Sequence, residues 1–235
     1  MCGKFTTLAS WSEVVAFSQP LTEGAGDGGQ SGDGAGDAEI VTFRVGGLLP
    51  VIVWDAEAGK RRVVRMRWGF PAPKDWRRPQ PIHARSETID SKEPFRKPFH
   101  IGQRGIVVFR TFNEGEQVVK PSGSTETRQW TIDPQDGQLR GFAFLWQRFV
   151  IPDFSSPMPA CVMATVQAND LIRRTVKSLE TEPRMPAILE DGAWPTWLGE
   201  DSATPEAAKA RLKTMEGVNW RAAPGPKKPR PSGKS

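Results

Sequence analysis

Residues 40–68, IVTFRVGGLLPVIVWDAEAGKRRVVRMRW, decide the fold. Segments 40–45, 50–54 and 61–68 alternate apolar with polar residues and are rich in Val, Ile, Phe and Trp, as β-strands are. Turns that contain glycine separate the segments. The stretch therefore predicts an antiparallel meander.

The second half of the chain continues the strand pattern, and helices are the minority. We expect strands at residues 105–112, 116–120, 128–133, 141–150 and 160–166. We expect a short turn at residues 194–198 and short helices at residues 10–19, 169–176 and 205–215, the last with Thr204 as its N-cap and Pro205 as its first residue. Because strands and helices do not alternate regularly, the predicted class is α+β, with a twisted, barrel-like, mainly antiparallel β core and a few short helices.

Segments of biased composition set the expected limits of the domain. Residues 22–39, TEGAGDGGQSGDGAGDAE, carry almost no apolar side chain, so burial cannot offset the entropy of ordering them. The C-terminal residues are rich in Pro, Lys, Arg and Gly. We predict one domain over residues 1–220 with a disordered loop at 22–39 and a proline-rich loop at 69–81, followed by a flexible basic tail at 221–235.

The composition predicts a globular protein of the cytoplasm. Of 235 residues, 37% are hydrophobic, and nine Trp and twelve Phe are ample for a core. Two cysteines make no disulfide framework, and no pattern of Cys and His indicates zinc, so we expect neither a metal nor a cofactor. The sequence shows neither a signal-peptide pattern nor an apolar run of about eighteen residues, which predicts no membrane association. The net charge of +5 permits an anionic partner, and a monomer is the default.

Cys2 gives the N-terminus a reactive group if Met1 is removed. The residue then carries a free α-amine and a thiol, which together condense with an aldehyde: the amine forms an imine, and the thiol closes a thiazolidine ring. Ordinary pKa values, near ~8 for the amine and ~8.5 for the thiol, leave a reactive fraction of both groups at neutral pH. The alternative is that Cys2 is a small hydrophobic residue of the core.

Four other features suit a binding or catalytic site, and each has an ordinary alternative. The polar segment HARSET at residues 83–88 fits a ligand site or a solvated turn. Trp68 could stack on unpaired bases or lie in the core. Glu114, near the expected end of a strand, could be an acid or base or a solvated turn residue. Arg184 could contact a phosphate or pair with a nearby glutamate.

In combination these motifs are similar to those of one family. The series comprises MCGKF from residue 1, WGF from residue 68, HARSET from residue 83, Phe112 with Glu114, GFAFLW from residue 141 and EPRMPAIL from residue 182. Its order and spacing resemble the SOS response-associated peptidase (SRAP) family over nearly the whole chain. The resemblance implies a single SRAP-like domain with a β-rich core that binds single-stranded DNA in a positive groove. It also implies a covalent link between the N-terminal cysteine and the aldehyde of an abasic site, which shields the lesion.

The resemblance implies roles for individual residues. Cys2 would be the nucleophile, and Glu114 matches the family's catalytic glutamate, which moves protons while the deoxyribose ring opens. Trp68 matches the residue that packs against bases beside the lesion. The resemblance also implies that Lys4, Arg85 and Arg184 contact phosphates, and such contacts supply affinity that depends little on the DNA sequence.

The chain departs from the family pattern around the implied site. His83 stands where the family usually has Asn, Glu182 where it usually has His, and Asn113 and Gly115 where it usually has Tyr and Trp. One hypothesis is that His83 takes over part of the proton transfer, because an imidazole titrates near neutrality. The competing hypothesis is a branch that keeps DNA binding with weakened catalysis, since Glu182 adds negative charge near phosphate. The candidate catalytic residues are therefore Cys2, His83, Glu114 and Glu182.

Three functions are compatible with this pattern. The first is covalent capture of abasic sites in single-stranded DNA during the DNA-damage (SOS) response. The second is a cysteine peptidase that exposes Cys2 by removing its own Met1, and the third is a DNA-binding module without catalysis. The state of Met1 helps to separate them, because a retained Met1 blocks the α-amine and makes thiazolidine formation impossible.

Overall fold

The computed structural model describes residues 3–7, 41–136, 140–152, 154–177, 183–216 and 219–225. The β-strands in these ranges are β1 (Lys4–Thr7), β2 (Val41–Arg44), β3 (Leu48–Asp55), β4 (Lys60–Trp68), β5 (Pro71–Ala72), β6 (Asp75–Pro79), β7 (His83–Arg85), β8 (Arg104–Phe109), β9 (Thr111–Val119), β10 (Thr125–Pro134), β11 (Arg140–Phe149), β12 (Met158–Gln167), β13 (Arg184–Pro186), β14 (Ile188–Leu189) and β15 (Trp220–Pro224). The α-helices are α1 (Arg96–His100), α2 (Asp170–Thr175), α3 (Trp194–Leu198) and α4 (Pro205–Lys209), with a 3-10 turn at Asp191–Ala193. The predicted helix at 10–19 and loop at 22–39 lie outside the described residues.

Five strands close into a barrel at the centre of the fold, in the order β12, β4, β3, β8, β11 and back to β12. Neighbouring strands are antiparallel except β4 and β12, which run parallel with Trp68 opposite Cys161. Closure leaves no open edge among these five strands, and β8 is buried along its whole length. The barrel confirms the predicted class, a mainly antiparallel β core with few short helices.

A second sheet packs against the barrel, with the strand order β15, β10, β9, β1 and β2. Phe5 of β1 lies opposite Phe112 of β9, and both rings contact Phe142 of β11, at centroid distances of 5.4 Å and 5.8 Å. All three rings are completely buried. The burial of this aromatic surface joins the second sheet to the barrel.

The predicted meander is wrong in one respect, because β2 pairs with β1 of the second sheet and not with β3. The cause is the turn that follows β2. Gly46 has a φ of 85°, a left-handed conformation that glycine adopts without strain, and the N–H of Gly47 donates to the carbonyl of Arg44 at 3.0 Å. The chain therefore passes from one sheet to the other at this turn, whereas β3 and β4 form the predicted antiparallel pair.

The strand boundaries near residue 110 also differ from the prediction. The expected strands at 105–112 and 116–120 are replaced by β8, which ends at Phe109, and by β9, which runs unbroken from Thr111 to Val119. Arg110 links them, and its N–H donates to the carbonyl of Thr6 at 2.9 Å. The apolar pattern continues through this link, so alternation alone does not reveal where the chain leaves the barrel.

Two segments predicted to be irregular contain strands. The proline-rich loop at 69–81 includes the hairpin of β5 and β6. The prediction of a flexible tail is wrong for residues 221–224, because they belong to β15, which pairs with β10 from Trp130 opposite Pro224 to Pro134 opposite Trp220. Backbone hydrogen bonding at the edge of a sheet orders these residues despite their low apolar content.

The helix at 169–176 is confirmed as α2, and the segment 194–198, predicted as a short turn, forms the helix α3. The side chain of Asn169 caps α2, and that of Thr204 caps α4 as predicted. The end of α4 differs from the prediction, because the N–H of Leu212 donates to the carbonyl of Lys209, three residues back, and the α-helical pattern stops. Among the described helices, none has the length and apolar character needed to cross a membrane.

Candidate functional site

Glu114 lies in the interior of β9 and is only 1% exposed. The predicted position at a strand end is therefore wrong. On one side, β10 places Trp130 directly opposite Glu114. On the other side, Lys4 of β1 lies opposite Asn113. Because the two strands are antiparallel, Gly3, which precedes Lys4, is level with Glu114, which follows Asn113. The buried carboxyl thus lies beside the strand that leads to the N-terminus.

A second buried carboxylate, Glu116, lies two residues further along the same face of β9. Its Oε2 accepts a hydrogen bond of 2.9 Å from Nε1 of Trp130 and lies 3.6 Å from Nη1 of Arg128. Sequence reasoning missed both Glu116 and Trp130. The available signal was the Glu-Gly-Glu pattern at 114–116, which places two carboxylates on one face of a strand.

The HARSET and RMP motifs meet on β12. The strand β7 runs parallel to β12 with Arg85 opposite Thr165, and β13 runs antiparallel on the other side of the same residue. Nη2 of Arg184 donates to the carbonyl of Thr165 at 2.8 Å. The structure therefore brings His83, Arg85 and Arg184 to one end of β12, although they come from motifs that lie far apart in the sequence.

Arg184 forms a two-point ion pair with Glu87. Its Nη1 and Nη2 each donate to one carboxylate oxygen at 2.8 Å. These hydrogen bonds hold the pKa of Glu87 below its ordinary value, so the carboxyl is charged at neutral pH. Nε of Arg184 is buried and has no hydrogen-bond partner among the residues that the structure describes.

Trp68 is a core residue, which corrects the expectation that it stacks on bases. Its ring is completely buried and lies 5.4 Å from Phe5 and 6.2 Å from Phe144, measured between ring centroids. Nε1 donates to the carbonyl of Ile82 at 3.3 Å. No face of the indole is open to a base in this conformation, because the two sheets enclose it.

The hairpin of β5 and β6 carries a surface cluster of aromatic and basic side chains that sequence reasoning also missed. Trp76 contacts Phe154, a 46% exposed residue, with 5.0 Å between ring centroids. The guanidinium of Arg77, an exposed residue of β6, lies 4.9 Å from the ring of Trp76. The guanidinium of Arg67, a buried residue of β4, lies 6.0 Å from the same ring. Cations next to partly exposed rings are the combination that single-stranded nucleic acids bind.

Lys4 and Arg44 lie directly opposite each other on β1 and β2, which places two further cations on the second sheet. Arg85 is exposed on β7. Cys2 and Glu182 lie outside the described residues.

Cys161 and His100 are the remaining cysteine and histidine of the chain. Cys161 is completely buried in β12, and burial raises the pKa of its thiol well above the ordinary value, which makes it a poor nucleophile. His100 is exposed, with Nε2 at 2.9 Å from the carbonyl of Asp90. Within the described ranges, His, Cys, Asp and Glu form no group of three that could hold a metal ion.

Comparison with known proteins gives one family and several relatives. The family model described as SOS response associated peptidase (SRAP) matches residues 1–226. The chain is 25% identical over 224 residues to the abasic site processing protein YoqW of Bacillus subtilis, covering 92% of this chain and 88% of that protein. It is 26% identical over 218 residues to the abasic site processing protein YobE of the same organism, covering 90% and 88%.

The fold also matches solved structures. A protein from Bordetella bronchiseptica superposes with a TM-score of 0.71 at 21% identity, covering 96% of this chain and all of that one. A phage-related protein from the same organism gives a TM-score of 0.64 at 16% identity, covering 96% and 95%. At these identities the two structures support the fold alone.

Proposed function

The chain belongs to the SOS response associated peptidase (SRAP) family, and on that premise we propose that it binds single-stranded DNA and captures abasic sites covalently through Cys2. The printed names of the Bacillus relatives, abasic site processing proteins, support a role at this lesion. The observation that carries the proposal is the position of Glu114. This buried carboxyl is level with Gly3, the residue to which Cys2 is bonded.

The proposed reaction joins two groups of Cys2 to one carbon of the lesion. With Met1 removed, the α-amine adds to C1′ of the ring-opened deoxyribose, and loss of one water gives an imine. Sγ then adds to the imine carbon, and the thiol proton passes to the nitrogen. The product is a thiazolidine ring that contains C1′, the nitrogen and Sγ, and one water is released for each adduct formed.

Glu114 supplies the proton transfers in this proposal. The deoxyribose must open before its aldehyde is available, so a proton leaves the C1′ hydroxyl and another reaches the ring oxygen. A carboxyl that alternates between its charged and neutral forms performs both transfers. The same group can protonate the hydroxyl that leaves when the imine forms.

The cations described above supply affinity for the DNA backbone. Arg85 of β7 and Arg184 of β13 flank the same end of β12, and Lys4 lies opposite Arg44 on the second sheet. Contacts of this kind bind phosphate without reading sequence, and they weaken with salt as counterions compete. We further propose that the protein acts in the cytoplasm as a monomer during the DNA-damage (SOS) response.

The test compares two single-stranded oligonucleotides, one with a natural abasic site and one with a tetrahydrofuran analogue that has no aldehyde. We expect both to bind with similar Kd and only the first to give an adduct that survives a denaturing gel. Binding of both without any adduct would support a non-catalytic module instead. Cleavage of a peptide without adduct formation would support the peptidase.

His83 is the residue we expect to share the proton transfers with Glu114. Because general acid–base catalysis contributes at least roughly 10²-fold, His83→Ala is expected to slow adduct formation by about that factor. His100→Ala, which removes an exposed imidazole, should leave the single-turnover rate unchanged. An undiminished rate in His83→Ala would exclude the role. A faster rate in His83→Asn, which restores the usual family residue, would favour the branch with weakened catalysis.

A further inference from the structure

Trp130 projects from the same face of the second sheet as Glu114, the candidate catalytic residue. It lies opposite Glu114 in the ladder of β9 and β10, and side chains opposite each other in such a ladder have Cβ atoms about 5 Å apart. The indole is partly buried against the hydrophobic core, and the rest of it is accessible to solvent. It is therefore available to a ligand, unlike the enclosed ring of Trp68.

Glu116 holds the indole in one orientation. The hydrogen bond of 2.9 Å from Nε1 of Trp130 to Oε2 of Glu116 turns the ring along the strand from Glu114 towards Glu116. Nη1 of Arg128, directly opposite Glu116 in the ladder, lies 3.6 Å from the same oxygen. A carboxylate that is 8% exposed needs such partners, because burying an unpaired charge is costly. The hydrogen bond to Glu116 and the packing against the core therefore both hold Trp130 in place.

The position next to Glu114 in the sequence has no room for an aromatic side chain. A Cβ atom added at Gly115 would lie 2.9 Å from Cγ2 of Thr127 and 3.4 Å from Nε2 of Gln129. Because side chains alternate along a strand, Gly115 faces away from Glu114, and the ring on the face of Glu114 comes from Trp130 of β10.

An abasic site creates a specific need for such a ring. The base that flanks the lesion loses its stacking partner on one side and exposes a π face. An indole can occupy that face, and stacking of this kind tolerates any base because every base has a π face.

We propose that Trp130 is a stacking subsite for the nucleobase that flanks the abasic site, and that Glu116 is the positioning residue that orients its ring. The proposal rests on the proposed function, since it assigns a substrate contact within the same site. It predicts a site that accepts purines and pyrimidines alike and that is assembled from β9 and β10.

The test uses 2-aminopurine, a fluorescent base that is quenched when it stacks on an indole, placed beside a tetrahydrofuran site in single-stranded DNA. Wild-type protein should quench it on binding, and Trp130→Leu should abolish the quenching and raise Kd roughly 10-fold. Trp54→Phe changes a partly buried Trp on β3 and is the matched control, with quenching and Kd like those of wild type.

Two further variants test Glu116 by a readout that loss of stability alone would not change. Glu116→Gln keeps an oxygen that can accept from Nε1 of Trp130, so its quenching should match wild type, whereas Glu116→Leu should lose most of it. Thermal unfolding confirms that each variant is folded at the assay temperature. Quenching by folded Glu116→Leu equal to that of wild type would overturn the positioning role.

Quenching by Trp130→Leu equal to that of wild type would overturn the subsite itself. The same preparations are also mixed with DNA that carries a natural abasic site, and adduct formation is measured on a denaturing gel. Adduct formation together with unchanged quenching rejects the subsite and leaves the proposed function intact. Quenching that depends on Trp130 without any adduct in wild type supports the subsite and rejects covalent capture.

Discussion

Replacing Glu114 by glutamine is expected to slow formation of the covalent adduct by roughly 10²- to 10⁴-fold, the usual contribution of a positioned acid or base. Glutamine has nearly the same shape and fits a site that is 1% exposed, so the fold should be kept. The amide neither accepts nor releases a proton near neutral pH. Ring opening and imine formation would then depend on water, while phosphate contacts made elsewhere stay unchanged.

The measurement is the single-turnover rate of adduct formation with excess protein, together with Kd for the tetrahydrofuran oligonucleotide. Glu126→Gln is the matched control, because Glu126 is a glutamate of the adjacent strand β10 that pairs with Lys120 at the surface. We expect the control to react like wild type, and Kd to change little in either variant. A rate for Glu114→Gln within a factor of about two of wild type would remove Glu114 from the mechanism.

Replacing Trp68 by alanine is expected to lower the free energy of unfolding by about 3–5 kcal/mol, the range measured for large aromatic residues of a core. The ring is completely buried between Phe5 and Phe144, so its loss leaves a cavity between the second sheet and the barrel. The hydrogen bond from Nε1 to the carbonyl of Ile82 is lost as well. Chemical denaturation with urea measures the effect.

Trp68→Phe separates the core role from a role in DNA binding. Phenylalanine keeps a ring in the core but lacks the indole N–H, so the free energy of unfolding should fall less than in Trp68→Ala. Kd for abasic DNA should equal that of wild type, because Trp68 touches no ligand in this account. A loss of affinity in folded Trp68→Phe similar to that expected for Trp130→Leu would show that Trp68 contacts bases.

The sequence predicted strand content better than strand partners. Alternation identified β3 and β4 because each buries one face, and the turn between them is short. The same alternation in β2 did not reveal its partner. The left-handed turn at Gly46 sends β2 to another sheet, and its partner β1 lies more than thirty residues earlier in the chain. Pairing between distant segments depends on tertiary packing, which local patterns do not encode.

The candidate site shows the same limit. The motifs around His83 and Arg184 were recognisable separately in the sequence. Only the structure shows that they lie close together, because β7 and β13 both pair with β12. The family resemblance assigned Trp68 to the DNA, whereas the residue itself left base stacking and core burial open, because an aromatic residue in a loop and one in a core look alike in sequence. Trp130 was missed because a Trp in a strand is typical of a core. Its hydrogen bond to Glu116 joins two neighbouring strands, so local sequence does not reveal it.

The central claim is that Cys2 forms a thiazolidine with the abasic aldehyde, and intact-protein mass spectrometry after incubation with abasic single-stranded DNA tests it most directly. The account predicts an adduct on protein that lacks Met1, with the mass of protein plus DNA minus one water. Cys161→Ala should give the same adduct because its thiol is buried, and Cys2→Ser should give no adduct that survives denaturation. The absence of an adduct on Met1-free wild-type protein that still binds the DNA, or an equal yield from Cys2→Ser, would contradict the account.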